Sequence, residues 1–173
     1  MDSKLRDYLK IEVYHESKFL KKLYFKYLAP PTNAVYLIRK YQFCKSKILS
    51  ILYRKKLVTK YGIFISKSTK IGKGLKLPHP NGIIFGEHTI IGENCTIYQQ
   101  VTFGSSRQGE AKLGFQPVVH DNCIFYAGCK IIGGIKIYSN TRVGANAVLL
   151  GDTEKSGGSY VGIPARKVKK NTR

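Results

Sequence analysis

His79 stands between two prolines in the segment Leu77-Pro78-His79-Pro80-Asn81-Gly82-Ile83-Ile84-Phe85. Histidine is the side chain whose ordinary pKa lets it take a proton from an alcohol near neutral pH. Three other histidines, His15, His88 and His120, read as surface residues; His120 alone lies close to the second irregular stretch described below and stays a minor candidate. Near the end of the chain Arg166, Lys167, Lys169 and Lys170 gather positive charge suited to phosphate groups. The four cysteines, Cys44, Cys95, Cys123 and Cys129, form no CxxC pair and no dense framework. They read as reduced thiols of a cytosolic protein, and no metal site is expected.

The elements that must hold His79 come from an internal repeat. From Ile65 onward an aliphatic residue or phenylalanine returns every six positions: Ile65, Ile71, Leu77, then Phe85, Ile91, Ile97, Phe103, then Val119, Phe125, Ile131, Ile137, Val143, Leu149. Four places after the anchor the residue is small or modest: Thr69, Thr89, Cys95, Val101, Cys123, Cys129, Thr141, Ala147. A period of six fits neither a 3.6-residue helix nor simple strand alternation. It fits a coil in which each hexad is one short strand and one corner, with three hexads to a triangular turn. Anchor and small residue point inward, and Gly or Asn takes the unusual backbone angle at the corner. The expected class is therefore mainly β, a parallel β-helix or hexapeptide solenoid. The rhythm breaks twice, at the eight residues around His79 and at Ser105–Pro117, a polar stretch long enough to leave the coil as a loop.

The first sixty residues read as a short N-terminal α-helical region. Phe19, Leu20, Leu23, Tyr24, Tyr27 and Leu28 recur at helical spacing, and Pro30-Pro31 are expected to end that segment. Thr32 and Asn33 could cap a second helix with the stripe Ala34, Leu37, Ile38, Tyr41, Cys44, Ile48, Leu52. The division expected is 1–60 helical, 61–160 coil with a loop at about 105–117, and 161–173 tail.

Thirty Lys and Arg against ten Asp and Glu give a net charge of +20, densest over residues 1–60. Such a field draws nucleic acid, an anionic membrane or a polyphosphate cofactor. No helix-turn-helix, zinc finger or RNA-binding signature accompanies it, so nucleic acid is not the expected partner. No apolar run of eighteen residues exists, and Met1-Asp2-Ser3-Lys4 leads into mixed charge without a secretory h-region. The expected location is cytoplasmic, with peripheral association at the inner membrane surface through residues 1–60 as one option and packing of the apolar stripe on the coil or a neighbouring subunit as the other.

LPHPNGIIFGE (Leu77 to Glu87), IYQQVTFG (Ile97 to Gly104) and VGIPARK (Val161 to Lys167) make the stretch from about Tyr61 to Lys167 resemble the left-handed β-helix acyltransferases, near their serine O-acetyltransferase branch. The resemblance implies a left-handed coil, a homotrimer with sites between subunits, and acetyl-CoA as co-substrate. It implies His79 as the general base and Gly104, Ala127, Gly128, Ala145, Arg166 and Lys167 as CoA-binding positions. Thioester transfer needs a base and oxyanion donors, which a Gly-rich coil edge can present as backbone N–H groups, and no nucleophilic side chain. A backbone carbonyl, Glu87 or Glu110 could orient the imidazole.

The acceptor is a separate matter. The serine branch carries Asp directly before its histidine, where this chain has Pro78; a second Asp where it has Phe64; and an Arg-His pair where it has Phe115-Gln116. Free serine brings a carboxylate and an ammonium that need charged partners, whereas a sugar hydroxyl needs only amides and aromatic faces. Asn81, Gln99, Gln100, Phe115, Gln116 and Tyr126 could supply those. The expectation is therefore O-acetylation of a sugar hydroxyl in a capsule or O-antigen polysaccharide or its lipid-linked precursor. Serine O-acetylation and an inactive scaffold are the alternatives.

Overall fold

In the computed structural model, which describes residues 2–13 and 24–168, the chain from Phe64 visits three parallel sheets in turn. The first stacks β1 (Phe64–Ile65), β3 (Ile84–Phe85), β6 (Thr102–Gly104), β9 (Lys130–Ile132) and β12 (Val148–Leu149). The second stacks β2 (Lys70–Ile71), β4 (Ile90–Ile91), β7 (Val118–Val119) and β10 (Lys136–Ile137). The third stacks β5 (Thr96–Ile97), β8 (Ile124–Phe125), β11 (Thr141–Val143) and β13 (Gly158–Val161), and closes with β14 (Arg166–Lys167) antiparallel to β13. Ile84 pairs with Thr102 and Lys130 with Val148, eighteen residues apart in each case, which is three hexads per turn. Phe64 pairs with Ile84 and Thr102 with Lys130, so the two rhythm breaks are absorbed inside single turns without shifting the register.

All thirteen anchors are buried, and so are the small residues four places later. Inside, the ring of Phe85 stacks on that of Phe103 at 5.8 Å, and Phe125 meets Phe103 edge to face at 4.9 Å. At one corner Asn94, Asn122 and Asn140 hold φ of 55°, 58° and 63°, the left-handed region that asparagine tolerates. Cys95, Cys123 and Cys129 fill inward positions as free thiols. The neighbouring Cys123 thiol and burial push the Cys95 thiol up, and burial alone pushes Cys129 up to about 12, so neither is a thiolate at neutral pH.

The helical front differs from the expectation in its joints. Helix α1 (Ser3–Glu12) is capped by the Asp2 carboxylate, which accepts from the Lys4 N–H at 2.9 Å. Phe19, Leu20 and Leu23 lie outside the described residues; Tyr24, Tyr27 and Leu28 are exposed on a π-helical turn, Tyr24–Leu28. The helical segment does end just ahead of Pro30-Pro31, at Leu28, and the two prolines themselves open α2 (Pro30–Phe43), where a missing N–H costs nothing. Asn33 caps nothing; its Oδ1 accepts from Tyr61 Oη at 2.6 Å and Lys60 Nζ at 3.0 Å. The chain breaks again at Cys44, and Ser46 caps α3 (Lys47–Tyr61). Ala34, Leu37, Ile38 and Tyr41 therefore join the coil's core, but Ile48 and Leu52, expected on the same stripe, face solvent. Gly62 ends α3 at φ 61° and turns the chain into the first coil.

One side-chain network ties the front to the coil. Arg39, wholly buried, donates to both oxygens of Glu12, to Gln42, and to the carbonyls of Ile71 and Gly72. Glu12 also accepts from the Leu75 N–H at 3.0 Å, so a single carboxylate joins α1, α2 and the first turn.

Candidate functional site

One edge of the prism, where the third sheet hands over to the first, carries most of the residues singled out by sequence. His79 sits exposed there, flanked by buried Pro80, and its carbonyl accepts from the Asn81 N–H at 2.8 Å in a tight turn. Above it the edge is a hydrogen-bonded ladder. The Asn81 carbonyl accepts from Gln100, that of Gln99 from Gly128 and that of Ala127 from Asn146, at 2.8–2.9 Å. Gly82, Gln100, Gly128 and Asn146 take φ between 55° and 73° on successive turns. Gly128 has a second reason to be glycine: a Cβ there would fall 2.1 Å from Asn146 Oδ1. The N–H groups of Ala127 and Ala145 meet no protein acceptor among the described residues, so this edge presents free backbone donors on two successive turns.

An aromatic column runs beside the ladder. The His79 ring lies 5.9 Å from that of Tyr98, tilted by 53°, and Tyr98 stacks on Tyr126 at 5.5 Å. Tyr98 was missed by the sequence reading. Its signal is register: Lys76 bridges to Thr96 and Thr96 pairs with Ile124, so 78, 98 and 126 form one outward column.

Other predicted residues lie elsewhere in the chain. The 105–117 loop leaves the coil between the first and second sheets, a different edge from that of His79. Gly104 ends β6 at its root, where a Cβ would meet open space. Glu110 turns inward on its own loop, accepting from Ser106 Oγ at 2.7 Å and the Arg107 N–H at 2.9 Å. The Ser106 hydroxyl holds its carboxyl below the usual range. Glu87 lines a depression with Tyr41, Arg54, Phe64 and Lys67. Neither glutamate, each named with a backbone carbonyl as an option for orienting His79, bonds to it within the described chain; the ring beside His79 is that of Tyr98. Phe115 is exposed, whereas Gln116 is 3% exposed with its Oε1 unpartnered, and it lines a cavity of about 280 Å³ with Ser68, Lys70, His88 and Lys112.

The tail also departs from expectation. Arg166 is exposed on β14, but Lys167 Nζ is already engaged by the Glu154 carboxylate and by Ser156 Oγ, leaving it less free for a phosphate. That contact holds the Glu154 carboxyl below its ordinary value. Lys169, Lys170 and His15 lie outside the described residues. His88 is exposed, its N–H bound to Ser68 Oγ, and His120 stacks flat on Tyr138 at 5.3 Å. Among the described residues no group of three or more His, Cys, Asp and Glu could hold a metal ion.

No protein-family model matches the chain. It is 45% identical over 112 residues to a serine acetyltransferase of Staphylococcus epidermidis, a match covering 65% of this chain and 51% of that protein. It also superposes on a serine acetyltransferase of Neisseria gonorrhoeae in complex with serine, at TM-score 0.76 and 26% identity over 95% of this chain and 69% of that one. A serine acetyltransferase in complex with CoA shares the fold at TM-score 0.79 and 24% identity, over 96% and 71% of the two chains. The chain spans about half the length of the curated relatives it matches.

These likenesses overturn the expectation of a polysaccharide acceptor, since the similar proteins are serine acetyltransferases. The physical weakness of that expectation is visible in the protomer. It rested on neutral residues, Phe64 and Phe115-Gln116, standing where the serine branch has charged ones. Cations nevertheless stand beside both: Phe64 lines the depression with Arg54 and Lys67, and Gln116 the cavity with Lys70 and Lys112.

Proposed function

We propose that this chain is an acetyl-CoA-dependent O-acetyltransferase whose acceptor is the hydroxyl of L-serine, acting as a homotrimer of left-handed coils behind a helical front. The 45% identity over 112 residues to a serine acetyltransferase carries the reading. On this reading residues 61–160 are the coil and 161–173 the tail.

The chemistry follows from the edge. His79 takes the proton of the serine hydroxyl as that oxygen attacks the thioester carbonyl; the carbon–sulfur bond then breaks and the proton passes to the departing thiolate. The free N–H groups of Ala127 and Ala145 suit the amide carbonyls of a pantetheine arm, and exposed Arg166 suits a phosphate. Gly104, Gly128 and Lys167 complete the CoA-binding set of this reading. Tyr98 and Tyr126 wall the imidazole on one side.

Two observations favour an amino-acid acceptor and a second copy together. Lys70 and Lys112, which line the cavity with Gln116, supply cations for a carboxylate. That cavity and His79 occupy different edges of one chain, and in the proposed homotrimer a neighbouring copy brings the one to the other. Following free thiol released from acetyl-CoA, with L-serine and with L-alanine as a hydroxyl-free control, tests the reading. Serine-dependent release is expected, falling by about two to four orders of magnitude in His79→Ala while CoA binding is kept. No serine-dependent release by the parent chain overturns the acceptor, and unchanged release in the variant removes His79 from its role.

A further inference from the structure

Helix α3 exposes the wrong residues for a helix in water. Ile48, Leu49, Ile51 and Leu52 lie between 48% and 73% exposed, on the side of the helix opposite buried Leu57 and Tyr61. Four large aliphatic side chains within five residues form a contiguous patch rather than scattered surface apolars. Lys45 and Lys47 precede and Arg54, Lys55 and Lys56 follow it, all exposed. The helix holds no acidic residue, and none occurs anywhere between residues 17 and 86, a span with sixteen lysines and arginines.

We propose that this face of α3 docks on an anionic lipid surface, with Ile48, Leu49, Ile51 and Leu52 entering the headgroup–acyl boundary and the flanking lysines and Arg54 pairing with lipid phosphates. An interfacial helix combines an apolar face with a basic flank in this way, each basic group adding its own attraction to anionic headgroups. Charge selects this occupant over a second copy of the chain, because two α3 faces brought together would oppose cation to cation with no carboxylate between them. Aliphatic side chains select it over nucleic acid, whose single strands are gripped by aromatic stacking, and α3 exposes no aromatic ring in the patch. At 15 residues α3 is too short to cross a bilayer, and no described helix is long and apolar enough to do so, so it lies on the surface.

The inference does not depend on the acceptor. Co-sedimentation of the full chain with vesicles of phosphatidylcholine alone, and of phosphatidylcholine with roughly one-third phosphatidylglycerol, tests it. Binding to the anionic vesicles is expected at low salt and should weaken as salt screens the contact. A net charge of +20 would itself attract such vesicles, so the deciding variant is Ile48→Ser with Ile51→Ser, which leaves charge unchanged. It should weaken vesicle binding by about ten- to a hundredfold and leave solution mass and serine-dependent thiol release as in the parent. Equal binding by variant and parent overturns insertion of the helix. Absence of binding overturns the proposal outright, and a drop in solution mass in the variant assigns the face to contacts between copies.

Discussion

The front and the coil of this protein are held by different physics. In the coil every turn repeats one solution: parallel backbone ladders, an anchor and a small residue inside, a left-handed corner. Loss of one position there weakens one turn among several. The front has no such redundancy. Its grip on the coil includes one carboxylate and one guanidinium, both sealed from water, joining α1, α2 and the carbonyls of the first turn. Regular stacking spreads stability over many small terms, whereas a unique buried ion pair concentrates it at one place.

The sharpest way to break that contrast is Glu12→Ala. The Arg39 charge would stay buried with its main partner gone, a change that costs about 3–5 kcal/mol. Hydrogen exchange should show α1 and α2 losing protection while the later turns of the coil keep theirs. If the coil's amides open together with the helices, the two regions form one cooperative unit and the contrast fails.

The same difference explains what could be read in advance. A six-residue rhythm is a physical signature, because an inward position must recur at every face of a three-sided coil, and all thirteen anchors were readable from it. Eighteen-residue register then aligns corners, which is why Asn81, Gln99, Gln100, Ala127, Gly128 and Ala145 converge on one edge. The front offers no period to check against, so the stop ahead of Pro30-Pro31 is legible, but not that the prolines open the next helix or that its stripe breaks at Cys44. The Glu12–Arg39 pair, 27 residues apart, left no local trace at all. In the site, the neutral residues at Phe64 and Gln116 pointed to a neutral acceptor because the cations beside them, Arg54 and Lys67 at one and Lys70 and Lys112 at the other, leave no signal in the sequence around them.

A smaller effect sharpens the comparison within the coil. Tyr98 is the ring against His79, and replacing it tests whether the column above the imidazole positions it. Tyr98→Leu should lower kcat for serine-dependent release by about tenfold, near 1.4 kcal/mol, with little change in the KM for acetyl-CoA. Tyr98→Phe keeps the ring and should retain most of the activity. Equal losses in both variants would make the hydroxyl, not the aromatic face, the important group.

The smallest effect falls on the corners, where redundancy should be greatest. Asn122 holds φ 58°, is exposed, and its side-chain amide makes no hydrogen bond within the described residues. Its backbone N–H does the structural duty, donating to the Glu93 carbonyl at 2.9 Å. If the corner selects asparagine for its tolerance of left-handed backbone, Asn122→Ala should cost about 1 kcal/mol, since alanine enters that region less readily than asparagine does. Asn122→Gly removes the Cβ altogether, which eases the left-handed backbone, against the freedom glycine gains in the unfolded chain, an opposing term of about the same size or less. Chemical denaturation of the three proteins ranks them. Glycine more stable than alanine makes the corner a matter of backbone conformation repeated up the prism; the reverse order would mean that the exposed amide contributes something the coil's regularity does not account for.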